Sequence, residues 1–188
     1  MSTTGTRVAI KPSALVVLFE NFEEIEAVST IDVLRRGSVD VKTFAFNGQS
    51  IVTGAHGISV AADLLQFPQK APDMVIIPGG AGIFKLRGNH FLQEILHDQY
   101  IHGRWIAAIC AAPIILADMG ILENHRYTAH ASMRDELPDA RTYESVITDG
   151  NIVTAAGPSA AITFGLTLLS LLTTTENSKT IAKQMMHE

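Results

Sequence analysis

The sequence contains very little cysteine, with Cys110 as its one thiol among 188 residues. A single cysteine excludes an intrachain disulfide and any metal site built from several thiolates. It is also typical of a protein from a reducing compartment rather than of a secreted disulfide scaffold, so we expect a cytoplasmic protein. The composition leaves open whether the thiol is inert packing or the reactive group.

A strong excess of charge is also missing. The net charge is −5 and the pI is about 5.8, so there is no electrostatic reason to expect nucleic acid or an anionic membrane surface as a partner. The longest stretch without charge, residues 151–175, is interrupted by Gly157-Pro158. The apolar remainder, residues 160–172, would form a helix of about 20 Å, whereas a bilayer core is about 30 Å thick. We therefore expect a buried helix and no membrane span.

Motifs for bound metals, nucleotides and targeting are absent as well. His97 and His102 are five residues apart, and H-E-x-x-H does not occur. The G-G-A-G of residues 79–82 lacks the third glycine of the dinucleotide fingerprint. Residues 1–12 are polar without an apolar h-region, which predicts a flexible lead-in and not a signal peptide. We expect no metal and no cofactor.

Hydrophobic residues make up 47% of the chain and charged residues 18%, which suits a buried core and excludes disorder. The length predicts a single domain over residues 13–188. Strands alternate with helices along the chain, which indicates an α/β fold with a doubly wound, mostly parallel sheet between helices. The predicted strands are residues 13–19, 39–46, 73–77, 105–109 and 127–129, with antiparallel hairpins at 51–60 and 146–155, and helices follow at 23–36, 91–100, 111–119, 160–172 and 176–186.

The first predicted helix carries an apolar stripe and a cluster of acids. Ile25, Val28, Ile31 and Leu34 are three residues apart, which predicts one buried face. Glutamates at the start of a helix are usually solvated and favoured by the helix dipole. Glu26 lies near the edge of the stripe, where partial burial would keep its carboxyl protonated and able to shuttle a proton.

Cys110 lies in W-I-A-A-I-C-A-A-P, between a predicted strand that ends at Ile109 and a helix whose first turn accepts Pro113. The sharp turn between them resembles the elbow that exposes the nucleophile of hydrolases. A thiol at a helix N-terminus is expected to have a lowered pKa. The alternative from this segment alone is an ordinary buried cysteine.

Four motifs in order resemble the ThiJ/PfpI superfamily: E-E-I-E-A, I-I-P-G-G, A-I-C-A-A-P and A-A-G-P-S. Within it the sequence is similar to the branch of the parkinsonism-associated deglycase and the bacterial ThiJ-like proteins. The resemblance extends from about residue 13 to residue 186. It implies a flavodoxin-like sandwich, a homodimer and a cysteine on the elbow.

The resemblance also implies roles for individual residues. Catalytic roles fall on Cys110, on Glu26 as the carboxyl that hydrogen-bonds the thiol, and on His130 at the pocket mouth. The oxyanion pocket and its walls are formed by Gly79, Gly80, Ala111, Gly157 and Pro158. Without the resemblance, the two glycines are also compatible with a plain turn, and one of seven histidines is more often a surface residue.

Two positions depart from the superfamily pattern. In the protease-like branch a histidine follows the nucleophile, whereas Ala111 follows it here, which argues against peptidase activity. In the human relative, arginines approach the pocket at positions that correspond to Ala156 and His56 here. Recognition of anionic substrates by arginine is therefore not expected.

We expect a cofactor-independent enzyme, a glyoxalase or deglycase that acts on methylglyoxal-type dicarbonyls or their early protein adducts. Cys110 would add to the carbonyl and Glu26 would move the proton. The alternative is an oxidative-stress sensor or chaperone whose Cys110 is oxidised to a sulfinate. An older label assigns such sequences to thiamine (thiazole phosphate) biosynthesis, but this sequence has no phosphate-binding loop that would support that function.

Overall fold

The computed structural model describes residues 11–187. The predicted lead-in lies outside this range except for Lys11 and Pro12. The strands are β1 (Ser13–Leu18), β2 (Asp40–Ala45), β3 (Ile51–Thr53), β4 (Ser59–Ala61), β5 (Met74–Ile77), β6 (Trp105–Ile109), β7 (Val146–Asp149) and β8 (Ile152–Ala155). The helices are α1 (Glu24–Arg36), α2 (His90–Ile101), α3 (Pro113–Asp118), α4 (Ala161–Leu172) and α5 (Thr175–Gln184), with 3-10 turns at Ala81–Leu86, Ala131–Met133 and Pro158–Ala160.

Six strands form one sheet in the order β2-β1-β5-β6-β8-β7. All neighbours are parallel except β7 and β8, which form the hairpin predicted from Asp149-Gly150. β3 and β4 form a separate antiparallel pair. The central strands are buried along nearly their whole length, as the continuous apolar runs predict. The predicted doubly wound, mostly parallel α/β fold with a small hairpin is confirmed.

The helices pack closely on one another as well as on the sheet. α1 and α4 form the most extensive helix contact, and α5 packs on α4. A β-carbon at Gly165 of α4 would lie 3.0 Å from Cβ of Val33, so glycine permits this close approach. None of the helices within residues 11–187 combines the length and the apolar character needed to cross a bilayer.

The predicted apolar stripe of α1 is wrong in its first half. Ile25 is 55% exposed and Val28 is 44% exposed, whereas Ile31 and Leu34 are buried. The inward positions of the first turns are instead polar or small: Glu24, Glu26, Ala27 and Thr30. The carboxyls are buried there because they hydrogen-bond backbone amides of neighbouring loops, which periodicity does not report.

The strand predicted at residues 127–129 is also wrong. Thr128 pairs through side chains rather than through a backbone ladder. Its amide donates to Oγ1 of Thr154 at 2.9 Å, and its own hydroxyl donates to the Arg141 carbonyl at 3.0 Å. The segment is therefore buried beside the sheet without joining it.

Candidate active site

Cys110 lies at the carboxyl end of β6, on the predicted elbow. Its amide donates to the carbonyl of Ala155 at 2.8 Å, and its carbonyl accepts from the amide of His130 at 2.9 Å. The φ angle of Cys110 is 65°, a left-handed conformation that costs a non-glycine residue about 1–3 kcal/mol. Hydrogen bonds with two neighbouring segments thus hold Cys110 in a strained backbone conformation.

Glu26 is buried in the first turn of α1, with 1% of its surface exposed. Its amide donates to Oε2 of Glu23, which caps the helix, at 2.8 Å. Its own Oε2 accepts the amide of Gly79 at 2.7 Å. Oε1 is buried without a hydrogen-bond partner of regular geometry, although its carboxyl interacts with the Cys110 thiol. The thiol is thus the group placed to satisfy this oxygen.

Gly79 brings the carboxyl and the thiol together. A β-carbon at this position would lie 2.7 Å from Cβ of Cys110 and 2.9 Å from Oε2 of Glu26. Both distances are shorter than a non-bonded contact allows, so only glycine fits between the two side chains. The convergence of residues 26, 79 and 110 is therefore a product of the fold.

Burial raises the pKa of Glu26 to about 7. The hydrogen bonds from the Gly79 amide and with the Cys110 thiol oppose this shift, while the negative charge of Glu23 adds to it. The prediction that burial favours the protonated carboxyl is confirmed. At neutral pH the group is close to half ionised, so it can both give and take a proton.

The predicted lowering of the Cys110 pKa is wrong. Burial raises the pKa of the thiol, and the charge of Glu26 and the hydrogen bond with it raise it further, whereas the Ala111 amide lowers it. α3 has only six residues, so its dipole is small beside two nearby carboxyls. A second negative charge is costly in this pocket, so the Glu26–Cys110 pair carries at most one at neutral pH.

The oxyanion donors differ from the expected pair of glycine amides. The amide of Gly79 is engaged by Glu26. The amide of Gly80 donates to no backbone or side-chain acceptor within residues 11–187, and the amide of Ala111 bonds the thiol. Gly80 has φ 103°, and a β-carbon there would lie 2.4 Å from the Asn21 carbonyl oxygen. Ala111 is thus the amide that bonds the reacting sulfur, and Gly80 has an amide that no acceptor of the described chain engages.

His130 and Gly157 lie on the other side of the thiol. A β-carbon at Gly157 would lie 3.1 Å from Cδ2 of His130 and 4.0 Å from Sγ of Cys110. Nδ1 of His130 accepts the Ser132 amide at 3.2 Å and lies 2.8 Å from the Ser132 hydroxyl, which leaves Nε2 without a bond to the described chain. Pro158 begins the 3-10 turn behind Gly157. The expected wall is therefore next to the thiol.

Glu24 is a buried residue of this region that the sequence reasoning assigned to solvent. It accepts hydrogen bonds from the His56 amide at 2.6 Å and from the Ile58 amide at 3.4 Å, and it pairs with Nδ1 of His56 at 2.8 Å. Burial opposes ionisation, but these bonds together hold the Glu24 pKa below its usual value. The glycine at position 54 is the sequence feature that reflects the burial of Glu24, because a β-carbon there would lie 2.4 Å from the Glu24 carboxyl.

One group of side chains could hold a metal ion. Ligand atoms of Glu23, Glu24 and His56 lie within 4.8 Å of one another, the one such group within the described residues. The hydrogen bonds between His56 and Glu24 account for this geometry without an ion.

The raised pKa of Glu26 predicts a pH-dependent stability difference. The carboxyl titrates near 4.5 when unfolded and near 7 when folded, so folding is progressively penalised as pH rises between these values. In Glu26→Gln this penalty is absent. The difference in free energy of unfolding between the variant and wild type should therefore shift by about 2–3 kcal/mol in favour of the variant from pH 5 to pH 8. Urea denaturation of both proteins at the two pH values measures the gain, and a constant difference contradicts it.

Comparison with known proteins agrees with this geometry. The profile of the DJ-1/PfpI family matches residues 12–171. Protein dj-1beta of Drosophila melanogaster is 34% identical over 180 residues, which cover 93% of this chain and 96% of that protein. The glutathione-independent glyoxalase DJR-1.2 of Caenorhabditis elegans is 33% identical over 183 residues, with 94% and 97% covered.

Solved structures give the same result. Oxidised Toxoplasma gondii DJ-1 superposes with a TM-score of 0.88 at 35% identity and covers 94% of this chain and 98% of its own. Drosophila melanogaster DJ-1beta superposes with a TM-score of 0.90 at 30% identity, with 95% and 100% covered. The resemblance carried by the four motifs is confirmed, and the chain belongs to the DJ-1/PfpI family.

Proposed function

We propose that this protein is a cysteine-dependent, glutathione-independent glyoxalase that converts small dicarbonyls such as methylglyoxal into hydroxy acids. The observation that carries the proposal is the contact between Cys110 and the buried carboxyl of Glu26, whose pKa of about 7 suits proton transfer at neutral pH. The glyoxalase named among the relatives supports the same chemistry.

The pair supplies the first step of such a reaction. Glu26 accepts the thiol proton as Cys110 sulfur bonds to the aldehyde carbon. It then gives this proton to the carbonyl oxygen, which yields a hemithioacetal and an ionised Glu26. The Ala111 amide, which bonds the thiol, and the unengaged Gly80 amide are the donors that we assign to the developing oxyanion.

The second step moves a proton between neighbouring carbons. Glu26 removes the proton from the former aldehyde carbon and returns one to the former ketone carbon, while the hydroxyl proton passes to the former ketone oxygen, which leaves a thioester on Cys110. Water hydrolyses the thioester, releases lactate and restores the thiol. The balance is methylglyoxal plus water to lactate, so no redox cofactor takes part.

The same steps extend the proposal to early adducts of dicarbonyls on amines or thiols. A hemiaminal or hemithioacetal releases its amine or thiol as the carbonyl carbon transfers to Cys110. His130 is exposed at the mouth, with Nε2 free of bonds to the described chain, and it is the side chain placed to meet the departing group. This is the deglycase form of the activity.

Lactate formation tests the proposal. Purified protein is incubated with methylglyoxal, without glutathione and with a chelator, and lactate is measured by a coupled assay. We expect lactate in many-fold excess over protein, and none from protein whose single thiol has first been blocked with iodoacetamide. Consumption of methylglyoxal without lactate contradicts the proposal.

A second candidate function is sensing of oxidants through Cys110, and the oxidised state of the Toxoplasma gondii structure favours it. The chain has no second cysteine to form an internal disulfide, so Cys110 sulfenate would proceed to a sulfinate beside Glu26. Intact mass after mild peroxide should show a gain of two oxygens. Oxygen added only to methionine residues, with Cys110 unchanged, contradicts it.

We also propose a homodimer, the assembly that the superfamily resemblance implies. The exposed Ile25 and Val28 on α1 support it, since two large apolar side chains one turn apart favour a covering partner. Sedimentation equilibrium should give twice the chain mass of 20.3 kDa. A monomer at micromolar concentration contradicts it.

A further inference from the structure

We propose that the Cys110 pocket selects its substrate by charge, accepting neutral or positively charged carbonyl compounds, amine-bearing adducts above all, and rejecting those that carry a carboxylate. The inference deepens the proposed function, because it names the substrate class of the same site. It rests on the carboxyls that the fold collects around the thiol.

Three carboxyls of one helical turn are buried, and the charges of Glu23 and Glu26 act on the thiol. The exposed fractions of Glu23, Glu24 and Glu26 are 8%, 4% and 1%. Glu23 caps α1 through the amide of Glu26, so its charge is held at a fixed position. Buried carboxyls are normally matched by cations. Glu24 is paired with His56, whereas Glu23 and Glu26 have no ion pair within residues 11–187, which favours a cationic ligand.

The arginine ion pairs of the described chain lie away from this turn, and His130, on the other side of the thiol, pairs with Ser132 rather than with an acid. The arginine ion pairs join other acids: Arg35 with Asp63, Arg36 with Asp32, Arg87 with Asp118 and Glu136, Arg104 with Asp98, Arg126 with Asp149, and Arg141 with Glu144. Within residues 11–187, His56 is the one basic side chain that forms an ion pair with an acid of this turn.

His56 does not neutralise the pocket. Its side chain is 70% exposed and pairs with Glu24, on the hairpin side of the turn. The groups whose charges act on Cys110 are Glu26 and Glu23, and both raise the pKa of its thiol. Oε1 of Glu26 has only the weakly donating thiol beside it and no hydrogen bond of regular geometry, so a substrate N–H or ammonium group is a stronger donor for it.

The negative charges near Cys110 select substrates by their charge at the reacting thiol. A carboxylate next to the reacting carbon would be repelled by Glu23 and by ionised Glu26. A cationic group would be attracted, and by offsetting these charges it would also ease formation of the thiolate. The substrate would then help to activate the nucleophile that attacks it.

Labelling of the single thiol tests the inference without requiring turnover. The probes are two ethyl methanethiosulfonates of similar size, one with a trimethylammonium group and one with a sulfonate. Their rates with Cys110 are followed by intact mass in the presence of a chelator. Each rate is divided by that of the same protein unfolded in urea, where the residues flanking Cys110 carry no charge.

We expect the normalised rate of the cationic probe to exceed that of the anionic probe by roughly tenfold or more. Glu23→Gln keeps an oxygen that can cap α1, so it should fold and reduce the preference at least about threefold. Glu94→Gln, an exposed acid on α2, is the matched control and should leave the ratio unchanged. Equal normalised rates, or a faster anionic probe, overturn the inference.

Turnover separates this inference from the proposed function. Phenylglyoxal should be converted with a kcat/KM at least about tenfold above that of 4-carboxyphenylglyoxal. Equal conversion of both overturns the charge selection and leaves the glyoxalase intact. Conversion of neither, with the labelling preference present, contradicts the glyoxalase and supports the charge selection.

Discussion

Replacing Cys110 by Ala is expected to abolish lactate formation from methylglyoxal. Sulfur is the nucleophile of the proposed reaction, and the chain contains no second thiol that could replace it. The remaining amides of Gly80 and Ala111 would bind the carbonyl without forming a bond to it. Lactate production by the variant should therefore equal the uncatalysed rate in buffer.

The control for this variant is its fold. Alanine has the β-carbon of cysteine, and a φ of 65° is equally unfavourable for both residues. Cys110→Ala should therefore match wild type in its circular dichroism spectrum and in its free energy of unfolding. Cys110→Ser adds a hydroxyl that the pocket cannot ionise, and it should be equally inactive. Lactate formation by either variant at more than a few per cent of the wild-type rate contradicts the thiol mechanism.

Replacing Glu26 by Gln is expected to lower kcat/KM for methylglyoxal by about a hundredfold or more, the usual contribution of a positioned acid–base group. The amide oxygen of glutamine can still accept the Gly79 amide, so the shape of the pocket is retained. What is lost is a group that exchanges a proton near pH 7. Steady-state kinetics at pH 7 measure the decrease.

The matched control is Glu94→Gln, which makes the same chemical change on the exposed surface of α2. It should keep wild-type kinetics, whereas Glu26→Gln should lose activity while gaining stability above pH 7. Loss of activity together with a gain in stability indicates a buried carboxyl that destabilises the fold and is needed for the reaction. Activity of Glu26→Gln within threefold of wild type would show that another group moves the proton.

Much of the fold could be predicted because its signals are local. The apolar runs of β1, β5 and β6 and the turn at Asp149-Gly150 specify buried strands and a hairpin on their own. The elbow was predictable for the same reason, since a strand that ends at Ile109 and a proline at 113 leave a short turn for Cys110. The positions of Glu26 and Gly79 beside it needed the family resemblance.

The remaining features depend on contacts between distant segments. Glu24 is buried because a hairpin 32 residues later supplies its hydrogen bonds, so no pattern within α1 could report it. The raised pKa of Cys110 arises from burial and from a carboxyl 84 residues away, whereas the helix terminus visible in the sequence predicted the opposite. Likewise, the amide of Gly79 is unavailable for an oxyanion only because Glu26 reaches it.

The protonation of the Glu26 carboxyl is the most direct test of the account. Infrared difference spectra, or carbon NMR of labelled glutamate, follow the neutral carboxyl across pH 4 to 9, and Glu26→Gln identifies the signal. The account predicts a protonated carboxyl that disappears with a pKa of about 7 and is absent from the variant. A Glu26 that is fully ionised at pH 5.5 would contradict the raised pKa on which the mechanism depends.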